Sequence, residues 1–227
     1  MTTEPLTPDT ATDPAVFVLG HDAKTQVPIT WDTRTDPHLG VYGATRSGKT
    51  NLACHLARQG VEKGWDVRVI EVLKGGTEYS WNRAAWVATD ANDAVFILSD
   101  VDRVLASPTP PPKPLLVIVD DASPLSSAGR SATPDAHSLV AAAASVANAL
   151  SEGQEHGVHV VLGAQKRPLQ WRTDMSIALG KMSRSEATTN IGYGQDLHQL
   201  MTPGGNVGGW LKVGRNVEGI VMPHFVA

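Results

Sequence analysis

Residues 43–50 read Gly43-Ala44-Thr45-Arg46-Ser47-Gly48-Lys49-Thr50 and match every fixed position of the phosphate-binding pattern G-x-x-x-x-G-K-[ST]. Gly43 and Gly48 let the backbone wrap closely, so that its N–H groups can point at phosphate oxygens. Lys49 would reach the β- and γ-phosphates of ATP, and Thr50 would ligate Mg²⁺. The motif lies between a predicted strand, 37–42, and a predicted helix, 49–63, which is the context it requires. The alternative is a glycine-rich turn with an incidental Lys-Thr pair.

Polar residues follow two further apolar runs. The run 115–119 ends in Asp120 and Asp121. Asp120 would hold Mg²⁺, directly or through water, and Asp121 would act as general base on the attacking water. The run 158–162 leads to Gln165, which can sense the γ-phosphate or position that water. The competing interpretations are a solvated strand end or a helix cap for the aspartates, and a simple polar cap for Gln165.

The order of elements predicts an α/β protein with a mainly parallel sheet. An uninterrupted apolar run such as 115–119 is typical of a parallel strand covered on both faces. Alternating residues predict an N-terminal hairpin that turns at Gly20-His21-Asp22. The other expected elements are strands at 16–19, 26–31, 67–72, 204–213 and 217–222, helices at 90–105 and 135–150, and a proline-rich loop at 106–114.

Charge and composition narrow the class of protein. The net charge is −4, which argues against nonspecific nucleic-acid binding by a monomer, yet residues 166–227 carry seven basic residues against four acidic ones. That end is either a mixed solvated surface or a face that meets a polyanion or a neighbour's phosphates.

No apolar run approaches the roughly 20 residues of a membrane-spanning helix. The single cysteine, Cys54, fits a reducing cytoplasm. Residues 1–15 are predicted to be disordered and 16–227 to form one domain.

Three stretches resemble the motor domain of the FtsK/HerA class of DNA-pumping ATPases. The first runs from Val18-Leu19-Gly20-His21-Asp22 through Val27-Pro28-Ile29 and Asp36-Pro37-His38-Leu39 into the phosphate-binding loop. The second is 157–168, which is similar to the family's G-I-H-L-hydrophobic-A-T-Q-R-P stretch. The third is a Ser/Arg-rich turn at 183–189 that precedes a glycine-rich strand. The resemblance spans roughly residues 16–222.

This resemblance implies a RecA-like P-loop NTPase fold, a ring that is expected to be a hexamer, and translocation of double-stranded DNA through phosphate contacts. It also implies that an arginine from the neighbouring subunit completes the site. No arginine aligns cleanly with that position, because Thr189 falls near it. Arg184 ranks first, Arg167 second, and Arg172 is a further candidate.

The chain also departs from the family pattern. Asp121 stands where the family usually has Glu, and Arg46 stands where cell-division translocases usually carry Gly. Without an anchor, an oligomerisation domain or a winged-helix module, the chain resembles virus- or plasmid-encoded motors for genome packaging or DNA transfer. Such a motor would work in the host cytoplasm or at a virion vertex, with a portal, membrane or recruitment protein as partner. The alternatives are a chromosome-segregation translocase of the FtsK type, a P-loop small-molecule kinase, and a regulatory NTPase that uses ATP only to switch assembly.

Overall fold

A ten-stranded sheet organises the computed structural model, which describes residues 13–79, 85–128, 135–198, 208–213 and 216–222. The strands are β1 (Val16–Asp22), β2 (Pro28–Asp32), β3 (His38–Gly43), β4 (Asp66–Ile70), β5 (Trp86–Ala88), β6 (Leu115–Val119), β7 (Val158–Ala164), β8 (Met175–Leu179), β9 (Gly208–Val213) and β10 (Asn216–Val221). The α-helices are α1 (Lys49–Glu62), α2 (Ala91–Leu105), α3 (Ser123–Ser127), α4 (Ala136–Glu152) and α5 (Arg184–Ile191). Their alternation confirms the predicted α/β class with a mainly parallel sheet.

Six neighbouring strands form the parallel part of the sheet, in the order β8-β3-β7-β6-β4-β5. Strand β7 lies between β3 and β6, so the strand that carries the phosphate-binding loop and the strand that ends at Asp120 are not adjacent. Because parallel strands share a direction, the loops that follow β3, β4, β6 and β7 emerge at one edge of the sheet. The prediction that the strand before Gln165 lies beside the phosphate-loop strand is confirmed.

Hydrophobic layers cover both faces of the parallel strands. Within β6, Val117 and Val119 pack on the face that carries α2 and α4, whereas Leu116 and Ile118 pack on the face that carries α1. Alternate residues of a strand point to opposite faces, so a strand buried on both sides reads as a continuous apolar run. This arrangement explains the uninterrupted pattern at 115–119.

The antiparallel part of the sheet extends from β8 through β9, β10 and β1 to β2. The N-terminal hairpin is confirmed, but its predicted turn is wrong, because β1 continues to Asp22 and the chain reverses over 23–27. A register shift between Val18 and Gly20 interrupts the pairing of β1 with β2. The Gln59 side chain bonds to the Val18 backbone there, accepting from its N–H and donating to its C=O, both at 2.8 Å. Helix α1 is thereby joined to the hairpin.

Some predictions extend beyond the described part of the chain. The predicted disordered segment 1–15 lies mostly outside it, as do 204–207 of the predicted strand 204–213. Residues 13 and 14 are described, and their carbonyls accept hydrogen bonds from Lys63 Nζ at 2.9 Å and Trp65 Nε1 at 3.0 Å. The domain division therefore stays a prediction. In the ranges that the structure describes, no helix has the length and apolar character needed to cross a bilayer.

Candidate nucleotide site

The phosphate-binding loop connects β3 to α1, as its sequence context predicts. A Cβ added at Gly43 would collide with the Ser47 side chain and approach the Leu179 carbonyl oxygen to 2.6 Å. Gly48 has φ 100°, a backbone conformation that favours glycine. The close wrapping of the loop therefore requires both glycines of the motif.

Arg46 carries a left-handed backbone conformation inside the loop, with φ 66°. For a residue with a side chain this conformation costs about 1–2 kcal/mol. The resemblance to cell-division translocases predicts glycine here, and the geometry explains why glycine would fit. Arg46 is exposed, and its side chain borders the cleft above the loop.

The Lys49 ammonium is buried within the loop. Its Nζ donates to the Gly43 carbonyl at 2.8 Å and to the Ala44 carbonyl at 3.0 Å. Burial lowers the pKa of Lys49, while the nearby Asp121 and Asp120 carboxylates act in the opposite direction. A triphosphate in the cleft would offer this ammonium stronger acceptors than the two backbone carbonyls.

The two predicted metal ligands lie in direct contact. Thr50 Oγ1 donates to Asp120 at 3.0 Å from Oδ1 and 2.9 Å from Oδ2. Burial raises the pKa of the Asp120 carboxyl, whereas Lys74 and the Thr50 hydroxyl lower it. The structure therefore brings the ends of β3 and β6 together as the motifs predict.

A cation that the sequence analysis missed sits on both ligands. Lys74 Nζ is 2.8 Å from Thr50 Oγ1 and 3.3 Å from Asp120 Oδ2. A hydroxyl and a buried carboxylate that share one ammonium fit a hard cation such as Mg²⁺, whose preferred ligands are oxygens. Lys74 follows β4, so the rule that polar residues cluster where parallel strands end could have identified it.

Asp121 and Gln165 border the same cleft. Asp121 Oδ1 accepts a hydrogen bond from the Ser123 backbone N–H at 2.9 Å, at the start of α3. This local bond, two residues along the chain, uses one oxygen of the carboxylate, and Asp121 still has a second oxygen; the N-cap of α3 is Ala122, so the competing helix-cap interpretation does not apply to Asp121. Gly163 lets β7 approach β6, because a Cβ there would collide with the Asp120 carbonyl.

One cleft of about 430 Å³ collects these groups. Its size falls within the range of small-molecule sites. The loops after β3, β4, β6 and β7 all contribute to its walls. The lining residues are Thr45, Arg46, Gly48, Lys49, Thr50, Lys74, Glu78, Asp120, Asp121 and Gln165.

The segment predicted as a Ser/Arg-rich turn is a helix instead. Ser183 caps α5, its hydroxyl accepting from the Glu186 backbone N–H, while the Glu186 carboxylate accepts from the Ser183 N–H at 2.8 Å. This reciprocal capping stabilises a helix that has little amphipathic pattern. Arg184 is the first residue of α5 and is exposed.

None of the three candidate arginines is among the described residues that line the cleft. The Arg167 backbone N–H donates to Asn190 Oδ1 at 2.9 Å, and Asn190 Nδ2 lies 3.5 Å from the Gln165 carbonyl. Asn190 is buried and belongs to α5, so it joins that helix to the segment after β7. Arg172 is exposed beside the buried Trp171. The roles of Arg184, Arg167 and Arg172 stay predictions.

Solved structures with a similar fold are ATPases. The chain superposes on the conjugation coupling protein TcpA of pCW3, in a monomer form with ATPγS, with a TM-score of 0.79 and 15% identity over 98% of this chain and 70% of that one. For ATPases 2 and 3 of Thermomonospora curvata EccC, in complex with a signal sequence peptide, the TM-score is 0.69 and the identity is 17%, over 96% of this chain and 42% of that one. For the cytoplasmic domain of EssC, the TM-score is 0.61 and the identity is 18%, over 97% of this chain and 47% of that one.

These likenesses establish the fold. The chain shares the RecA-like P-loop fold of these proteins, as the sequence motifs predicted. It spans less than half the length of the EccC and EssC chains. No protein-family model matches the sequence, and no curated protein matches it.

Proposed function

We propose that this chain is an ATPase motor that assembles into a hexameric ring and uses Mg²⁺-dependent ATP hydrolysis to move double-stranded DNA. The observation that carries the proposal is the convergence of Lys49, Thr50, Asp120, Asp121 and Gln165 on one cleft of about 430 Å³. The fold shared with the conjugation coupling protein TcpA supports this class of motor.

In this proposal the residues of the cleft divide the chemistry of hydrolysis. Lys49 leaves the loop carbonyls for the β- and γ-phosphates, and Thr50 and Asp120 hold Mg²⁺, which neutralises phosphate charge. Asp121 turns its second oxygen to the attacking water and accepts its proton. Gln165, at the end of β7, orients that water or contacts the γ-phosphate.

The arginine that stabilises the transferred phosphoryl group comes from the neighbouring subunit in this proposal. Arg184 is exposed at the start of α5, and the cleft of its own subunit is bordered by other residues. Such an arginine contributes on the order of 10³-fold or more to the rate. Hydrolysis would then depend on ring assembly.

Contacts to DNA phosphates would make translocation largely independent of sequence. The excess of basic residues in 166–227 supports a DNA-facing or neighbour-facing surface in that part of the chain. We place the motor in the cytoplasm of a host cell or at a virion vertex, in genome packaging or DNA transfer, with a portal, membrane or recruitment protein as its docking partner.

A second candidate function is the transport of protein instead of DNA. It is favoured by the likeness to EccC, a type VII secretion ATPase that was solved with a signal sequence peptide. The net charge of −4 also suits a polypeptide substrate better than a polyanion. The two candidates share the site and differ in what stimulates it.

The deciding experiment measures the ATPase rate with and without duplex DNA, together with electron-microscopic imaging of the particles. A DNA motor gives ring-shaped particles and a rate that rises several-fold with duplex DNA. Lys49→Ala, which lacks the phosphate-contacting ammonium, supplies the background rate once its unfolding curve matches that of the unaltered protein. A rate indifferent to DNA in well-formed rings would refute DNA translocation and favour the secretion-type candidate. Full activity in a monomer would favour a small-molecule kinase.

A further inference from the structure

The loop that follows β4 is held by hydrogen bonds that fix the backbone position of Lys74. Glu71 is 1% exposed, and its carboxylate accepts three backbone N–H groups. Oε1 accepts from Leu73 at 3.1 Å and Lys74 at 2.8 Å, and Oε2 accepts from Gly76 at 2.8 Å. Buried carboxylates with several charge-assisted hydrogen bonds hold a backbone firmly.

The glycines of this loop are part of the support. Gly75 and Gly76 both have φ 70°, which favours glycine, and a Cβ at Gly76 would lie 2.8 Å from the Thr89 side chain. The backbone around Lys74 is therefore closely determined, while its side chain remains 44% exposed. The exposed side chain leaves room for the ammonium to take another position while the loop backbone keeps these hydrogen bonds.

The Lys74 ammonium lies against a buried carboxylate, that of Asp120. Asp120 is 2% exposed, and a buried carboxylate without a partner is costly. The Lys74 ammonium lies within 3.3 Å of that carboxylate and 2.8 Å of Thr50 Oγ1. These are the same two oxygen ligands that the proposed function assigns to Mg²⁺, and one position on them cannot hold two cations.

We propose that Lys74 is a second cation of the nucleotide site, which occupies the metal position on Thr50 and Asp120 in the nucleotide-free protein and transfers to the triphosphate when Mg²⁺·ATP binds. Glu71 is the positioning residue that aims it. Lys74 thus keeps the buried carboxylate neutralised between turnovers and makes metal entry depend on the arrival of a polyanion. This inference rests on the proposed function only in requiring that the site binds ATP and Mg²⁺.

Two binding measurements on Lys74→Met test the proposal without measuring ATP hydrolysis. The first titrates the nucleotide-free protein with Mn²⁺, a spectroscopic substitute for Mg²⁺, followed by electron paramagnetic resonance. The second titrates a fluorescent ATP analogue in EDTA. Removing the competing ammonium should tighten Mn²⁺ binding, and removing a phosphate-contacting cation should weaken metal-free nucleotide binding, each by about tenfold.

Opposite signs are the signature that a merely structural residue would not produce. Lys74→Arg keeps the charge and should retain most of the metal-free nucleotide affinity. Glu71→Gln should shift both affinities in the Lys74→Met direction by a smaller factor. Lys113→Met is the matched control, because this exposed lysine precedes β6 and lies at the opposite edge of the sheet.

The outcomes separate this inference from the proposed function. If Mn²⁺ and metal-free nucleotide binding both weaken in Lys74→Met, or if neither changes, the proposal is overturned. If the unaltered protein binds no nucleotide in any condition, the proposed function itself fails. Unfolding curves of each variant, matched to the unaltered protein, confirm that the fold is intact.

Discussion

Replacing Asp120 and Asp121 separately by asparagine tests how the cleft divides metal binding from proton transfer. Asparagine keeps the size and one acceptor oxygen, so each substitution removes little besides charge. At position 120 the lost charge faces Thr50 Oγ1 at 2.9 Å and the metal position. At position 121 the retained oxygen can still accept the hydrogen bond from the Ser123 N–H.

The magnitudes follow from these contacts. Hydrogen bonds to charged groups contribute roughly 1.5–3 kcal/mol, against about 1 kcal/mol for neutral pairs. The difference of about 0.5–2 kcal/mol means that Asp120→Asn should weaken Mg²⁺-dependent ATP binding by about 2- to 30-fold. Asp121→Asn should leave that affinity unchanged and slow turnover by about 10²- to 10⁴-fold, because it removes only the base.

Fluorescent-nucleotide titrations with and without Mg²⁺ measure the first effect, and single-turnover hydrolysis at saturating ATP measures the second. The unaltered protein in EDTA gives the metal-free reference for Asp120→Asn. An equal loss of ATP affinity in both variants would refute the division of roles. Normal turnover in Asp121→Asn would transfer the base role to another group.

Three further predictions concern the phosphate loop, the neighbour's arginine and pH. Lys49→Ala should lose most ATP hydrolysis, since the loop loses its buried cation, and a parental rate in steady-state assays would contradict the site. Mixing Arg184→Ala subunits with Lys49→Ala subunits should partly restore ATPase activity, because some interfaces then pair an intact loop with an intact arginine; no recovery in rings shown to be mixed would exclude Arg184 as the residue acting in trans. Burial lowers the pKa of His38 from 6.5 to about 4, so its neutral form is favoured in the folded state. The contribution of His38 to the free energy of unfolding is then fully present above pH 6.5. It is lost as the pH falls from 6.5 towards 4, and the loss is about 2 kcal/mol at pH 5. Urea unfolding at pH 7.5 and pH 5 measures this decline, and an unchanged decline in His38→Gln would contradict the assignment.

The phosphate-binding loop and the strand before Asp120 were predictable because their signals are local. Gly43 and Gly48 belong to one motif of eight residues, and the apolar run of β6 is continuous because both of its faces are covered. The capping box of α5 was also present in the sequence, at Ser183 and Glu186, but a helix of eight residues with weak amphipathic character was mistaken for a turn.

Other features depend on contacts between distant segments. Strand β5 has three residues and β8 has five, and each is defined by the strand beside it more than by its own pattern. Lys74 reaches Asp120 across 46 positions, because β4 and β6 are neighbours in the sheet. Sheet order is a tertiary property, so a local pattern can place Lys74 where the parallel strands end but cannot pair it with Asp120.

The buried amide of Asn190 has a consequence for how one subunit would respond to the next. It bonds the segment after β7 to α5, because the Arg167 N–H donates to Asn190 Oδ1 at 2.9 Å and Asn190 Nδ2 lies 3.5 Å from the Gln165 carbonyl. In the proposed ring, these contacts would connect Gln165 of one cleft to the helix that presents Arg184 to the next. A displacement of α5 by a neighbouring subunit of that ring would then be passed to the Gln165 backbone. Asn190→Ala should leave ATP affinity unchanged and lower the Hill coefficient of hydrolysis towards one, because each subunit of the proposed ring would then hydrolyse ATP independently of its neighbours.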